Sequence, residues 1–265
     1  MDRVRIMGIL NVTPDSFYDG GRYADPDRAA ERAYCMRDEG ADIIDIGGES
    51  TRPGAKPVPA GEEIDRICPV IERIAGDIGV PLSVDTNKAA VARAALAAGA
   101  SIVNDISGLT FDGAMAGVVA ERGAAVVLMH IQGTPETMQR DPRYADLVSE
   151  ICAFLAAAAE RALASGIGRE KIIVDPGIGF GKTLEDNYRI IKNLHEFRKL
   201  GFPVLVGLSR KSLIGKLYGG DADRLPATIA LNAASVLNGA DIIRVHDVKE
   251  HRLALEAMEM LKRIS

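Results

Sequence analysis

Tryptophan is absent, and aromatic residues make up only 5% of the 265-residue chain, so Ala, Ile, Leu and Val must fill the core. Cysteine is scarce. Cys35, Cys68 and Cys152 are an odd number with no CxxC spacing, which excludes a disulfide framework. With the four histidines they give no zinc-site spacing either. They read as reduced thiols packed on helices, and the expected location is the cytoplasm. An excess of positive charge is also missing. A net charge of −5 argues against a nucleic-acid-binding surface, though it leaves room for a local cationic pocket. No uninterrupted apolar run is long enough to span a bilayer. The start, Met1-Asp2-Arg3-Val4-Arg5-Ile6, goes straight into a strand and carries no signal-peptide pattern. The Asn11-Val12-Thr13 sequon therefore carries no meaning. Linkers, low-complexity tracts and composition breaks are lacking too, so residues 1–265 read as one domain.

What is present is an alternation of short apolar runs and amphipathic stretches, in a chain that is 47% hydrophobic and 26% charged, an ordinary globular composition. The candidate strands are Val4–Leu10, Asp42–Ile46, Pro81–Val84, Ser101–Asn104, Ala125–Met129, Lys171–Val174, Pro203–Gly207 and Asp241–Val245. They are rich in Ile and Val and continuously apolar, as strands covered on both faces must be. Between them the pattern predicts helices over Pro26–Glu39 (with Asp25 as N-cap), Ala60–Ile74, Lys88–Ala98, Ala114–Arg122, Pro142–Ser165 (with Asp141 as N-cap), Leu184–Leu200, Leu225–Leu237 and Lys249–Ile264. A short extra helix is expected around Lys211–Leu217. Eight strand-then-helix units at this length predict a single-domain α/β (β/α)8 barrel, a TIM barrel, with an open doubly wound sheet as the runner-up.

A barrel places function at the C-terminal ends of its strands. The runs end in Asn11, in Asp45–Gly54, in Asp85-Thr86-Asn87, in Asn104–Gly108, in Met129-His130, in Asp175–Lys182, in Ser209–Ser212 and in Arg244–Asp247. One such carboxylate is ordinarily a turn or a cap. Polar residues converging from eight strands on one rim point to a polar ligand, because burying that many charges costs several kcal/mol each unless they pair or bind something. The rim mixes carboxylates (Asp85, Asp175), an amide (Asn104) and cations (Lys211, Arg244). That mixture suits a flat heterocycle with donor and acceptor edges, and Arg can stack on its face. Asn11, Arg52, Arg244 and His246 could instead gather a phosphate group. Ser212, at the start of the short extra helix, offers an anion site through backbone N–H groups.

The stretch Ile9–Gly21 runs from apolar strand to a polar loop with Asp15, Ser16, Phe17 and Asp19. Asn11 can hold a metal ion or a phosphate oxygen. Phe17, an aromatic at a loop tip, suits contact with a ligand; an Asx/Pro turn leading to a helix cap is the plainer alternative. Two other motifs are rejected. Gly181-Lys182-Thr183 ends like a P-loop, but Pro176 stands where the first glycine is required. No GxSxG elbow occurs.

With these loops assembled, the chain resembles the dihydropteroate synthases, the folate-pathway enzymes that sulfonamides inhibit. The resemblance rests on Gly8–Gly21, Asp45–Gly54, Ser83–Asn87, Val103–Gly108, Val174–Lys182, Gly207–Ser212 and Arg244–Asp247, in that order along the whole chain. It implies joining of 6-hydroxymethyl-7,8-dihydropterin pyrophosphate to p-aminobenzoate, with loss of pyrophosphate assisted by Mg2+. Carried over by motif, Asp175, Asn104, Asp85 and Lys211 would grip the pterin edges, and Arg244 would lie on its face. Arg244, His246 and Asn11 would hold the pyrophosphate, with Asn11 also the magnesium ligand. Phe17 and Pro53 would line the aminobenzoate slot near Thr51, Arg52 and Lys211, with Ser212 receiving the carboxylate. The implied catalytic set is Asn11, Asp85, Asp175, Lys211 and Arg244. The implied mechanism is dissociative, with pyrophosphate leaving before the amine attacks.

Two rivals share the pocket: a pterin-dependent methyltransferase domain and a non-catalytic pterin-binding homologue. The first should not need Asn11–Phe17 or Ser209–Ser212, and the second should lack Asn11, Arg52, Lys211 or Arg244; all are present. The resemblance also implies a homodimer through the last helices, where Leu231, Val236 and Met258 are expected mostly to pack on strands. The role of His130 stays open, with a packing histidine below the rim as the plain reading.

Overall fold

The computed structural model describes residues 3–13, 25–52, 54–211, 214–215 and 223–263. Its strands are β1 (Arg5–Asn11), β2 (Ile43–Gly47), β3 (Leu82–Asp85), β4 (Ile102–Asp105), β5 (Ala125–Met129), β6 (Ile172–Asp175), β7 (Leu205–Val206) and β8 (Ile242–Val245). They form one eight-stranded sheet in the order β6-β5-β4-β3-β2-β1-β8-β7, with every pairing parallel. A parallel bridge between Val174 and Val204 joins its two ends, and Val174 N donates to Pro203 O at 3.0 Å. The sheet is therefore a barrel rather than an open doubly wound sheet, as expected.

Several strands run one residue further than the apolar runs suggest, so that Asn11, Asp85 and Asp175 close their strands rather than follow them. β7 is shorter than the predicted Pro203–Gly207, because Pro203 has no N–H to give to a ladder.

Helices fill the connections: α1 (Pro26–Asp38), α2 (Ala60–Ile74), α3 (Ala89–Ala98), α4 (Met115–Glu121), α5 (Leu147–Ala164), α6 (Leu184–Lys192), α7 (Leu194–Arg198), α8 (Leu225–Leu237) and α9 (Val248–Arg263). Asp25 caps α1 as expected, with its side chain on Asp27 N and Pro26 at the first position. Two helices differ from expectation. α5 starts at Leu147 rather than Pro142, capped by Asp146 rather than Asp141. The Gln132 amide takes both backbone groups of Arg143, at 2.9 and 3.1 Å, and so holds that segment out of the helix. The predicted helix Leu184–Leu200 is two helices, broken at Asn193, whose side chain donates to Arg189 O at 2.7 Å. Most of the short helix expected around Lys211–Leu217 lies outside the described residues.

Alternation along the strands builds the site. One apolar layer fills the barrel interior: Met7, Ile43, Ile102, Val127, Ile173, Leu205 and Ile242. Side chains repeat on one face every second residue. Two residues beyond Ile43, Ile102, Ile173 and Ile242 stand Asp45, Asn104, Asp175 and Arg244. The polar set thus rests directly on an apolar plug at the C-terminal end of the barrel. A larger apolar core lies between the strands and the helices, where Val236 is buried and Leu231 and Met258 pack against it.

Candidate active site at the barrel mouth

The mouth holds a cavity of about 1050 Å³. Asn11, Thr51, Arg52, Asp85, Lys211, Arg244 and His246 line it, together with Glu49, Phe180, Arg210 and Arg224. Asn104 and Asp175 do not line it and are at most 5% exposed; Asn104 is tied through Asp45 to Arg244, and Asp175 feels the charges of Lys211 and Arg244. The structure therefore gathers the described members of the expected set in one place. Phe17, Pro53 and Ser212 lie outside the described residues.

Arg244 is held edge-on by two carboxylates. Its Nε donates to Asp45 Oδ2 and its Nη2 to Asp85 Oδ2, each at 2.6 Å. Asp45 Oδ2 also accepts from Asn104 Nδ2 at 3.0 Å. Asp45 has no exposed surface, while the Arg244 side chain is 18% exposed. The guanidinium edge is thus consumed by the protein. Burial works against the charge on Arg244, but Asp45 and Asp85 outweigh it and hold the group charged well above the ordinary arginine range. Burial pushes Asp85 up to about 7, opposed by Arg244 and reinforced by Asp45.

A second pair faces it. Asp175 accepts from Gly177 N through Oδ1 at 2.7 Å. Burial raises its carboxyl above the ordinary range, against the pull of Lys211, the Gly177 N–H, Lys182 and Arg244. Lys211 donates to Ile178 O and lies 4.6 Å over the Phe180 ring. Burial brings its amine down to about 8, with Asp175 holding it up. Lys211 is thus the leading charge acting on Asp175, and the edge of an aminopyrimidinone requires one such donor and one such acceptor.

His246 is brought down to about 4 by burial first, then by Arg210 and Arg244, so the ring is neutral at pH 7. Its Nδ1 lies 2.9 Å from Ser209 Oγ, which also accepts from His246 N at 3.2 Å.

The loop after β2 is fastened at its stem. Glu49 Oε2 accepts from Val58 N at 2.5 Å and from Lys88 Nζ at 2.7 Å. Lys88 also reaches Glu63 Oε2 at 2.6 Å. At the far side of the loop, Gly54 N donates to Pro135 O at 3.1 Å. Thr51 and Arg52 are carried into the cavity between these ties.

Three members of the site are absent from the expected set. Asp45 is the one charge inside the run Ile43-Ile44-Asp45-Ile46, and that interruption is its signal in the sequence. Phe180 gives its ring to Lys211. Lys182, in the rejected P-loop look-alike, is 2% exposed beneath the β6 loop. His130 is a buried packing histidine, as expected in part, with its ring 4.9 Å edge-on to Phe154, but it also binds Lys182.

Known proteins match this arrangement. The family model described as "Pterin binding enzyme" matches residues 7–246. A dihydropteroate synthase of Synechocystis is 48% identical over 249 residues, covering 93% of this chain and 86% of that protein. The solved dihydropteroate synthase of Xanthomonas albilineans in complex with 7,8-dihydropteroate superposes with a TM-score of 0.90 at 40% identity, over 100% of this chain and 95% of that one. That of Yersinia pestis, in a sulfonamide drug complex, gives a TM-score of 0.92 at 45% identity, over 99% of this chain and 96% of that one. The chain belongs to the pterin binding enzyme family.

Proposed function

We propose that the chain is a dihydropteroate synthase, joining 6-hydroxymethyl-7,8-dihydropterin pyrophosphate to p-aminobenzoate in folate biosynthesis. The observation that carries this reading is the mouth itself. Asp175 and Lys211 offer an acceptor and a donor that act on each other's charge, with an Arg244 whose edge is taken by Asp45 and Asp85. Relatives with this fold are dihydropteroate synthases, one of them solved with 7,8-dihydropteroate.

In this reading the Asp175 carboxylate accepts the pterin's amino and ring N–H groups, and Lys211 donates to its carbonyl side. Asn104 and Asp85 meet the other ring nitrogens, and Arg244 lies on the ring face. The bond from the exocyclic methylene carbon to the pyrophosphate oxygen breaks first, and its electron pair leaves with the pyrophosphate. The buried carboxylates stabilise the cationic methylene carbon, while Arg244 and Asn11 receive the leaving group with His246. A neutral His246 contributes a hydrogen bond; an arriving pyrophosphate raises its proton affinity and lets it add charge. The aminobenzoate nitrogen then attacks the methylene carbon and loses one proton to solvent. Thr51 and Arg52 stand beside the aminobenzoate, with Phe17, Pro53 and Ser212 completing its slot.

Mg2+ fits the donors present. Among the described residues no group of three or more His, Cys, Asp or Glu could hold a metal alone. Asn11 Oδ1 faces the cavity beside Asp85 Oδ2, both within 4 Å of the Cβ position at Gly47. One protein oxygen completed by water and substrate phosphate is the usual magnesium arrangement, and Asn11 would supply that oxygen. When bound, the ion neutralises charge on the leaving pyrophosphate.

The protein is proposed to work in the cytoplasm as a homodimer. Among the described residues no helix is long and apolar enough to cross a membrane. Leu237 on α8 and Leu253 on α9 are 69% and 60% exposed, which supports a partner surface there.

Titration calorimetry tests the pterin assignment. Asp175→Ala is expected to lose binding of the pterin pyrophosphate; an unchanged affinity would sink the assignment.

A further inference from the structure

Lys182 is a fully buried lysine that the reaction as described does not use. Its Nζ lies 2.9 Å from His130 Nδ1, 3.0 Å from Phe180 O and 3.4 Å from His130 O. Three acceptors match the three protons of an ammonium group. Burial brings His130 down to about 3, so its ring is neutral; with Nδ1 accepting, its proton sits on Nε2. Burial likewise pulls Lys182 well below the ordinary lysine range, and Asp175 works against that pull.

The surroundings lock this group under the ligand floor. The β5 and β6 loops meet so closely that a Cβ at Gly177 would lie 1.8 Å from His130 O, and one at Gly181 would lie 2.6 Å from Gln132 O; both glycines have positive φ. Tyr144 Oη donates to Gly181 O at 2.7 Å, and His130 N donates to Asp175 O at 3.0 Å. Charge balance gives the lysine its purpose. Asp45 and Asp85 share Arg244, Glu63 is paired with Lys88, and Asp105 accepts from Ser107 and Leu109, which leaves Asp175 with Lys211 as its leading cation. Lys182 is the other lysine that draws on Asp175.

We propose that Lys182, held by His130, is a positioning residue for pterin binding: the buried counter-charge that keeps Asp175 an acceptor and fixes the β6 loop carrying Phe180. This rests on the reading that Asp175 grips the pterin. The charged groups facing Asp175 are Lys182, Lys211 and Arg244, and those facing Lys182 are Asp175, Lys211 and Asp186. Removing the Lys182 charge lets burial raise Asp175 further, so the carboxylate is lost at a higher pH as pH falls.

The test uses Lys182→Met, His130→Leu and His130→Asn, the last keeping an acceptor close to the Nδ1 position. Binding of the pterin pyrophosphate is measured by calorimetry from acid to alkaline pH, and the KM for p-aminobenzoate by turnover. Lys182→Met and His130→Leu are expected to weaken pterin binding about tenfold at neutral pH and to move its acid limb upward. The aminobenzoate KM should hold, and His130→Asn should recover most of the affinity. If Lys182→Met does not fold, the two His130 variants carry the comparison. Normal pterin affinity with an unmoved pH limb would overturn the proposal, as would equal weakening of both ligands. A wild-type chain that binds no pterin would instead overturn the reading on which it rests.

Discussion

Arg244 Nε lies 2.6 Å from Asp45 Oδ2, and that oxygen belongs to a carboxylate with no exposed surface. The same oxygen takes the Asn104 amide. Asp45 thus never meets solvent, yet it sets two side chains that do the binding. Asn at this position can keep its one oxygen on both donors, but it removes the negative charge beside Arg244 and puts an NH2 group where the buried Asp45 Oδ1 has no partner. Asp45→Asn is expected to lower kcat/KM about 100-fold through misplacement of Arg244 and Asn104. Steady-state kinetics read the loss, and circular dichroism should show an intact fold. Near-normal kinetics would remove Asp45 from the site.

The tie between Lys88 and Glu63 makes a different prediction. Glu63 is fully buried, its pKa is raised by burial, and Lys88 also holds Glu49 at the stem of the loop carrying Thr51 and Arg52. Lys88→Met leaves two carboxylates without their shared cation. Denaturant unfolding should show a loss of about 3 kcal/mol, the scale of a broken buried pair. The KM for p-aminobenzoate should rise while pterin affinity stays within about twofold.

The pH profile follows from Asp85, pushed up to about 7, and Lys211, brought down to about 8. The reaction needs Asp85 charged beside Arg244 and Lys211 protonated beside Asp175. kcat/KM should therefore rise as pH passes about 7 and fall as it passes about 8, a narrow bell. Asp85→Asn should remove the limb at about 7 and leave the one set by Asp175, and Lys211→Arg should remove the alkaline limb. The linkage to stability has the opposite sign for Asp85. Its folded pKa lies above the unfolded one, so its contribution falls between about pH 4 and about pH 7, as the unfolded chain gives up a proton that the folded chain keeps.

Leu237 on α8 and Leu253 on α9 test the proposed dimer. Leu237→Glu with Leu253→Glu should give a monomer by sedimentation, while the parent sediments as a dimer. A parent that sediments as a monomer would discard this surface.

Most of the barrel was legible because strands covered on both faces must be apolar, and each run was bounded by turn residues. The helices Ala60–Ile74 and Leu225–Leu237 start and stop where the periodicity places them. The start of α5 was not legible, because Asp141-Pro142 has the local form of a cap. The contact that prevents a helix there comes from Gln132, eleven positions from Arg143. The break at Asn193 was missed because the apolar spacing continues through it, while the Asn side chain competes for Arg189 O. In the site, residues that end strands were readable as a rim. Asp45 was passed over because it lies within its strand, where nearly every residue is apolar and the inward face does not show as alternation. Lys182 was hidden by a motif that suggested phosphate binding; its burial depends on the β5 loop folding over it.

Pyrophosphate release from the pterin pyrophosphate with Mg2+, measured with and without p-aminobenzoate, asks most directly whether this mouth joins the two substrates. The proposed function predicts release that depends on p-aminobenzoate and is matched by formation of 7,8-dihydropteroate. Pterin binding with no dihydropteroate formed under any addition of p-aminobenzoate would contradict it, and would make the chain a pterin-binding relative with another task.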